Sequence, residues 1–154
     1  MPDTTRVAPP DPLAIEQLGR VAQIVSVTLL SVKAEQLDAT ASQPGARFDR
    51  PVVRFRTTNK EAGTTLFVRA RFEGKGIAAK VQDGLAGFDI GAEFEIAYLL
   101  GKSEWSTPEN LAAFAAMNGT FNAWPFWREL VLSTLARMGM PNVVVPLFLV
   151  RGKP

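Results

Sequence analysis

The side chains able to do chemistry in this 154-residue chain are carboxylates, hydroxyls, amines and guanidinium groups, because it contains no cysteine and no histidine. This composition excludes disulfides, Cys/His metal sites, thiol nucleophiles and histidine-based catalytic triads. Carboxylates alone lack the usual general base for neutral pH. The sequence also shows no glycine-rich phosphate loop and no nucleophile–base constellation. We therefore expect a protein that is not an enzyme and that uses no cofactor and no metal ion.

Aromatic side chains are concentrated in one segment, FNAWPFWRELVLSTLARMG at 121–139, which holds two of the three tryptophans. Helical spacing places Trp124, Trp127 and Val131 on one face. Pro125 fits a first helical turn, where its missing N–H has no partner to lose. A cluster of this size favours partial exposure, and therefore a ligand groove or an oligomer contact. For the individual side chains, burial in the core is the alternative.

Charged residues form a second pattern, in which they alternate with apolar ones along predicted strands. Four arginines are expected on a solvated sheet face, paired with two glutamates across the sheet: Arg54, Arg56, Arg69 and Arg71 with Glu93 and Glu95. With Phe55 and Phe67 beside them, these arginines sustain an alternative, a sheet that binds single-stranded nucleic acid. The sequence has no RNP-type motif and a net charge of only +2, so we expect no nucleic-acid partner.

The composition is that of one folded domain, with 47% hydrophobic and 21% charged residues. We expect a disordered tail at 1–12, a domain at 13–150 and a short tail at 151–154. The first residues have no apolar core and do not resemble a signal peptide. The longest apolar run, VVVPLFLV, is too short to span a bilayer. These features predict a cytoplasmic protein with no membrane partner.

Hydrophobic periodicity predicts four strands and the loops between them. The run at 22–32 is rich in β-branched residues and mostly apolar, so we expect a first strand with both faces at least partly covered. Three further runs alternate with period two and predict an antiparallel sheet with one wetter face. They are PVVRFRT at 51–57, TTLFVRARF at 64–72 and EFEIAYLL at 93–100, separated by long connections at 35–50 and 74–91 and a hairpin loop at 59–63.

Two helices are expected after the sheet. Ser106 and Glu109 have the spacing of a capping box, and Asn118-Gly119 is expected to end the first helix. Asn122 is expected to cap the second, and Gly139 to end it in a left-handed conformation. Strands followed by helices indicate an α+β fold, here a four-stranded antiparallel sheet followed by two helices packed on one face. A short helix is also expected at 13–20.

The last helix and the extended segment after it carry a resemblance to a known family. FNAWPFWRELVLSTLARMGMPNVVVPL resembles the last-helix pattern of the SecB family of protein-export chaperones, which includes SecB-like chaperones associated with toxin–antitoxin systems. AQIVSVTLLSVKAE resembles the first strand of that family, and EFEIAYLLG resembles its fourth strand. The positions that carry the helix motif are Trp124, Pro125, Phe126, Arg128, Glu129, Arg137, Gly139, Pro141 and Pro146.

The resemblance implies an ATP-independent molecular chaperone that holds unfolded polypeptide or preprotein clients in apolar grooves. It implies a homotetramer, built as a dimer of dimers, with helices sandwiched between two sheets. The groove is formed by the connection after the first strand, the second strand and the helices. The residues placed there by the resemblance are Phe48, Val53, Phe55, Trp124, Phe126, Trp127 and Leu130. An oligomeric scaffold of the same fold, without chaperone activity, is a further alternative.

The resemblance also bears on docking to a translocase motor, which export chaperones of the family achieve through acidic sheet residues. Glu35 and Glu95 match such positions and Glu93 lies nearby, whereas Ser31 replaces an acid. The chain is not acidic overall and has no Cys/His tail for zinc. These departures favour a chaperone dedicated to one client or to a toxin–antitoxin system over a general export chaperone.

Overall fold

The computed structural model describes residues 10–37, 45–77, 87–140 and 143–148. The chain begins with helix α1 and alternates strands before a long helical segment. The elements are α1 Pro12–Val21, β1 Gln23–Gln36, β2 Gly45–Phe48, β3 Val52–Lys60, β4 Gly63–Ile77, β5 Phe88–Leu99, α2 Pro108–Phe114, a π-helical turn Ala115–Gly119 and α3 Thr120–Arg137. Apart from residues 10–12, the predicted tails at 1–12 and 151–154 lie outside the described residues.

All strand pairs in the sheet are antiparallel, and the order is β1-β5-β4, with β2 and β3 both paired to the far side of β4. β3 pairs with the first part of β4, from Gly63 to Arg71, and β2 pairs with the last part, from Gly74 to Ile77. The α+β class and the antiparallel sheet are therefore confirmed. The strand number is corrected from four to five, because β2 lies inside the connection predicted at 35–50.

Two glycines explain why the predicted loop at 74–91 begins with strand instead. A Cβ on Gly74 would lie 2.6 Å from the ring of Phe48, and one on Gly76 would lie 2.7 Å from the ring of Phe88. Glycine at these positions lets both aromatic rings approach the backbone of β4 closely. The glycines that predicted a loop therefore allow close packing against a strand, and β4 extends to Ile77. Residues 78–86 lie outside the described part of the chain.

The helical segment also departs from the prediction of two separate helices. Its N-cap is Thr107, whose hydroxyl accepts from the backbone N–H of Asn110 at 3.3 Å, and not Ser106. Asn118-Gly119 does not end the helix, since Gly119 has helical dihedral angles and the chain passes through the π-helical turn into α3. A Cβ on Gly119 would collide with the side chain of Val68. Glycine therefore brings the helix close to the sheet here, and does not stop it.

Asn122 and Tyr98 hold this junction against the sheet. Asn122 lies within α3 and donates to the Tyr98 hydroxyl at 2.9 Å, so it is not the predicted N-cap. The Tyr98 hydroxyl in turn donates to the carbonyl of Asn118 at 3.2 Å. Burial raises the pKa of Tyr98 above its ordinary value. At the other end of α3, Gly139 has a φ of +68°, which confirms the predicted left-handed stop.

The core lies between one face of the sheet and the helical segment. Alternate residues of β4 and β5 point into it, and the buried stripe of α3 packs on them. The buried stripe comprises Thr120, Ala123, Trp124, Trp127, Val131 and Leu135. We call this side of the sheet the inner face and the opposite, polar side the outer face. No helix among the described residues is long and apolar enough to cross a membrane.

Candidate functional site

A row of aromatic rings crosses the inner face and joins several of the predicted groove residues. Phe48 meets Trp127 edge-on at 6.3 Å between ring centroids, and Trp127 stacks on Phe72 at 5.5 Å. Phe72 meets Phe94 at 6.0 Å, and Phe94 meets Phe126 at 6.5 Å. The row is buried in its middle and reaches solvent at Phe126, while Phe48 at the other end is half-buried. The two ends are therefore the places where another molecule can touch it.

The two tryptophans lie inside the protomer. Trp127 is 1% exposed, and Trp124 is 8% exposed. The indole N–H of Trp124 donates to the carbonyl of Pro146 at 2.9 Å, and its ring lies 5.5 Å from that of Phe148. The expectation that the whole aromatic cluster is partly exposed is therefore wrong for these two residues, since the sheet and the segment 143–148 cover them. That the two tryptophans contact a client stays a prediction, and in this structure they pack beneath the exposed surface of the helix.

The exposed part of the helix surface is formed by phenylalanine and leucine. Phe126 is 49% exposed, and Phe121, five residues earlier in α3, is exposed to a similar extent. Leu130 is half-buried and packs against the core. Phe126 lies over Phe94, whose partner across the β1–β5 ladder is Leu29. The exposed ring therefore faces the β1 side of the molecule.

The predicted residues of β2 and β3 form the opposite border of the helix. Val53 and Phe55 pair with Ala70 and Val68, which are buried, so both side chains lie on the inner face. Val53 is half-buried against the core, whereas Phe55 is 38% exposed. Phe48 lies on the same border in β2 and packs on the helix through its contact with Trp127. These positions give an apolar margin along the strands that end the sheet on this side.

A second apolar strip, along β1, was missed by sequence reasoning. Ile24, Leu29 and Val32 pair with inner-face residues of β5, yet each is at least 45% exposed. The expectation that both faces of this strand are partly covered is wrong for the described structure, because Val27 is the one residue of β1 that is partly buried against the core and the other residues of the strand are exposed. The apolar run at 22–32 was the sequence feature that indicated a strand in need of burial. It did not show whether the same chain or another one covers that strand.

The predicted acidic residues lie on the outer face. Glu95 accepts from Arg69 at 2.8 Å and lies 3.8 Å from Arg56, which confirms part of the predicted pairing. Glu93 lies 3.9 Å from Arg69. The hydrogen bond with Glu95 is the main cause of the raised pKa of Arg69. Glu35 is exposed on β1 and lies 3.8 Å from Lys33. All three acids are thus tied to basic neighbours, and translocase docking through them stays a prediction.

Comparison with known proteins gives the architecture a precedent. No family model matches the sequence, and no curated protein matches it. Among solved structures, the chain is similar to the Mycobacterium tuberculosis SecB-like chaperone Rv1957, determined in complex with a ChAD peptide from the HigA1 antitoxin Rv1956. The TM-score is 0.70 at 21% identity, over 92% of this chain and 99% of that one.

A second similar structure is a protein of unknown function from Streptococcus agalactiae. Its TM-score is 0.53 at 16% identity, and the match covers 82% of this chain and 97% of that one. Both matches cover more than four fifths of this chain and nearly all of the compared one. The chain therefore has the fold of the SecB-like chaperones, as the resemblance in its last helix and first strand predicted.

Proposed function

We propose that this protein is an ATP-independent chaperone that holds non-native polypeptide against the apolar strips of its inner face. The observation that carries the proposal is the incomplete cover of that face. The helix buries the centre of the sheet and leaves apolar side chains exposed on both borders, at Leu29 and Val32 on β1 and at Phe55 on β3. Exposed apolar surface of this extent is typical of an interaction site.

Extended chain segments fit these borders better than a small ligand does. Both strips follow strands, so their side chains repeat at about 6.6 Å along each strand, the repeat of alternate residues in an extended peptide. Phe126 projects between the helix and β1 and offers an aromatic contact at the end of the aromatic row. We expect apolar segments of unfolded clients to bind there, without a nucleotide and without a catalytic step.

Self-association is part of the proposal. β1 is 14 residues long, forms the end of the sheet and has a β-bulge or irregularity at two places. A long apolar strand at a sheet edge is a template for pairing with another chain. We propose a homotetramer, a dimer of dimers, in which partner protomers cover part of the apolar surface of β1 and α3. Light scattering should give about 67 kDa, four times the 16.7 kDa of one chain, and a concentration-independent monomer would contradict the assembly.

A dedicated client is the finer part of the proposal. The similar chaperone of M. tuberculosis binds a peptide from an antitoxin. In this chain Glu93 and Glu95 lie in ion pairs with arginines and Glu35 lies 3.8 Å from Lys33, so the negative charge of the kind used for translocase docking is partly neutralised. We therefore propose a client of the toxin–antitoxin kind in preference to general export. A cytoplasmic location is part of this proposal.

The test is suppression of aggregation of a chemically denatured client, with and without ATP. We expect suppression near one tetramer per client, unchanged by ATP, and weakened in Phe55→Ala and Phe126→Ala. Val144→Ala is the matched control, because Val144 is strongly exposed and apolar but lies in the segment 143–148. Full aggregation in the presence of folded wild-type protein would contradict the chaperone proposal and leave the scaffold and nucleic-acid alternatives. Equal loss of activity in Val144→Ala would remove the assignment of the site.

A further inference from the structure

The outer face of the sheet carries a cluster of arginines that the proposed chaperone function does not use. Arg54 in β3 lies directly opposite Arg69 in β4, and Arg71 lies two residues further along the same strand face. Like charges placed opposite each other on a sheet are unfavourable. A fold that tolerates such a pair at an exposed position keeps a local conflict, and conflicts of this kind concentrate at functional sites.

The carboxylates nearby neutralise only part of this cluster. Arg69 is bound to Glu95, Arg71 lies 3.1 Å from Glu73, and Glu95 is shared with Arg56. Within the described ranges, neither Arg50 nor Arg54 lies in an ion pair. The excess positive charge is therefore located where β3 begins, beside the unfavourable pair.

A groove runs along this part of the outer face, with a cavity volume of about 410 Å³. Arg50, Arg54, Arg69 and Arg71 line it, together with Val52 and three carboxylates. Two of these carboxylates are already paired, Glu73 with Arg71 and Asp49 with Arg47 at 3.2 Å. The third, Glu93, lies 3.9 Å from Arg69. We call this surface the arginine groove.

We propose that the arginine groove binds an extended acidic segment of a partner protein, on the side of the sheet opposite the apolar strips. Arginines two residues apart on one strand present their guanidinium groups at a repeat of about 6.6 Å. An extended peptide with acidic residues at alternate positions has the same repeat, so successive carboxylates can meet successive arginines. Guanidinium groups bind carboxylates with two parallel hydrogen bonds, which gives the contact direction as well as charge.

The same observations disfavour a nucleic acid as the occupant. The ring of Phe67, the aromatic side chain of the outer face beside the groove, is covered by the guanidinium of Arg56 at 3.9 Å from its centroid. Phe55 lies on the inner face. Stacked bases therefore find no open ring here, although stacking supplies much of the affinity of single-strand binding.

The experiment uses the whole chain and a fluorescent twelve-residue peptide of alternating glutamate and threonine. We expect measurable binding at about 50 mM salt and a dissociation constant about tenfold weaker at about 300 mM, because exposed charges are screened. Arg50→Gln combined with Arg54→Gln should weaken binding about fivefold. Glu93→Gln should tighten it, because it removes a negative charge from the groove. A peptide of the same composition with its glutamates in one block should bind more weakly than the alternating one.

The matched control combines Arg128→Gln with Arg137→Gln, which removes the same charge from exposed positions of α3. Binding that is absent at low salt, or that falls equally in the control, overturns the proposal. Tighter binding of a twelve-nucleotide oligothymidylate through the same arginines assigns the groove to nucleic acid and also overturns it. Aggregation suppression should persist in the groove variant, and its loss in a folded tetramer would show that the groove belongs to the client surface.

Discussion

Truncation of two aromatic residues in α3 should separate the surface of the protein from its core. Phe126 is 49% exposed at the end of the aromatic row, whereas Trp127, the next residue, is 1% exposed in its middle. We expect Phe126→Ala to weaken client binding while the fold persists. We expect Trp127→Ala to destabilise the fold itself.

The magnitude for Phe126 follows from the area that its ring leaves exposed, and the magnitude for Trp127 from the cavity that its truncation creates in the core. A phenylalanine has about 200 Å² of surface, so a half-exposed ring has about 100 Å² to offer a client, or about 2.5 kcal/mol. At about 1.4 kcal/mol per tenfold, this is an upper limit near 60-fold in the dissociation constant. Trp127→Ala should cost about 3–5 kcal/mol of unfolding free energy and lower the melting temperature by roughly 6–20 °C.

The assay combines thermal melting, light scattering and fluorescence anisotropy with a labelled apolar peptide derived from an unfolded client. Phe121→Ala is the matched control, because this phenylalanine is equally exposed but lies about 140° away around the helix. The reasoning is refuted if Phe126→Ala binds as well as wild type, or if Phe121→Ala loses as much affinity. If Phe126→Ala instead dissociates the tetramer, the ring belongs to a protomer contact and the site assignment is wrong.

Three further predictions concern packing, titration and metal content. Gly119→Ala should lower the unfolding free energy by about 1–3 kcal/mol, because the new Cβ would meet Val68. Gly19→Ala is the control, because the space around Gly19 is open, and it should be neutral or stabilising by up to about 1 kcal/mol. Thermal melts measure both changes. Tyr98, the only tyrosine, has a raised pKa, so its contribution to stability is present below its ordinary pKa and is lost as pH rises above about 10. Alkaline denaturation monitored by tyrosinate absorbance should show this loss, and Tyr98→Phe should flatten that part of the stability profile; an unchanged slope would contradict it. Metal analysis of tag-free protein should find no stoichiometric zinc, since the chain has no cysteine or histidine.

The middle of the sheet was predictable because apolar and polar residues alternate with a period of two at 64–72 in β4 and 93–99 in β5. The short strand β2 was not, because its four residues lie in a polar connection and its partner segment contains Gly74 and Gly76. Glycine can allow unusual backbone angles in a loop, or it can leave room for a neighbouring group because it has no side chain. From sequence alone, the loop is the usual interpretation. Here the second applies, as the close approach of Phe48 and Phe88 shows.

The prediction that the helix ends at Asn118-Gly119 was wrong for a related reason. The local signal for a helix end was sound, but contact with Val68 and the hydrogen bonds between Tyr98 and the helix favour a continuous helical path. Tertiary packing outweighs a local preference of about 1 kcal/mol for ending the helix at glycine. Such an outcome depends on a partner 51 positions away, and a local pattern contains no information about it.

The sequence predicted that aromatic residues form the site, but it did not predict which of them are exposed. The sequence indicated an aromatic cluster near an interface, and the structure divides that cluster into buried tryptophans and an exposed Phe126. The apolar residues on both faces of β1 predict a buried strand, whereas the structure leaves them as an exposed strip. An apolar strand needs cover, and sequence does not say whether the cover comes from the same chain, a partner protomer or a client.

The source of this cover decides which apolar strip is left for clients. If protomers and clients both draw on the apolar strips of the inner face, every residue covered by a partner is removed from client binding. The assembly must then leave one strip free, and the strip along β3 is the better candidate, because Phe55 is exposed and Val53 is only half-buried. Among the described strands, β1 has no neighbour on its outer side, so the edge of β1 suits a protomer contact that leaves Phe126 on α3 open to a client. The outer face is spared by both contacts, so a partner held in the arginine groove and a client held at β3 can be bound at the same time.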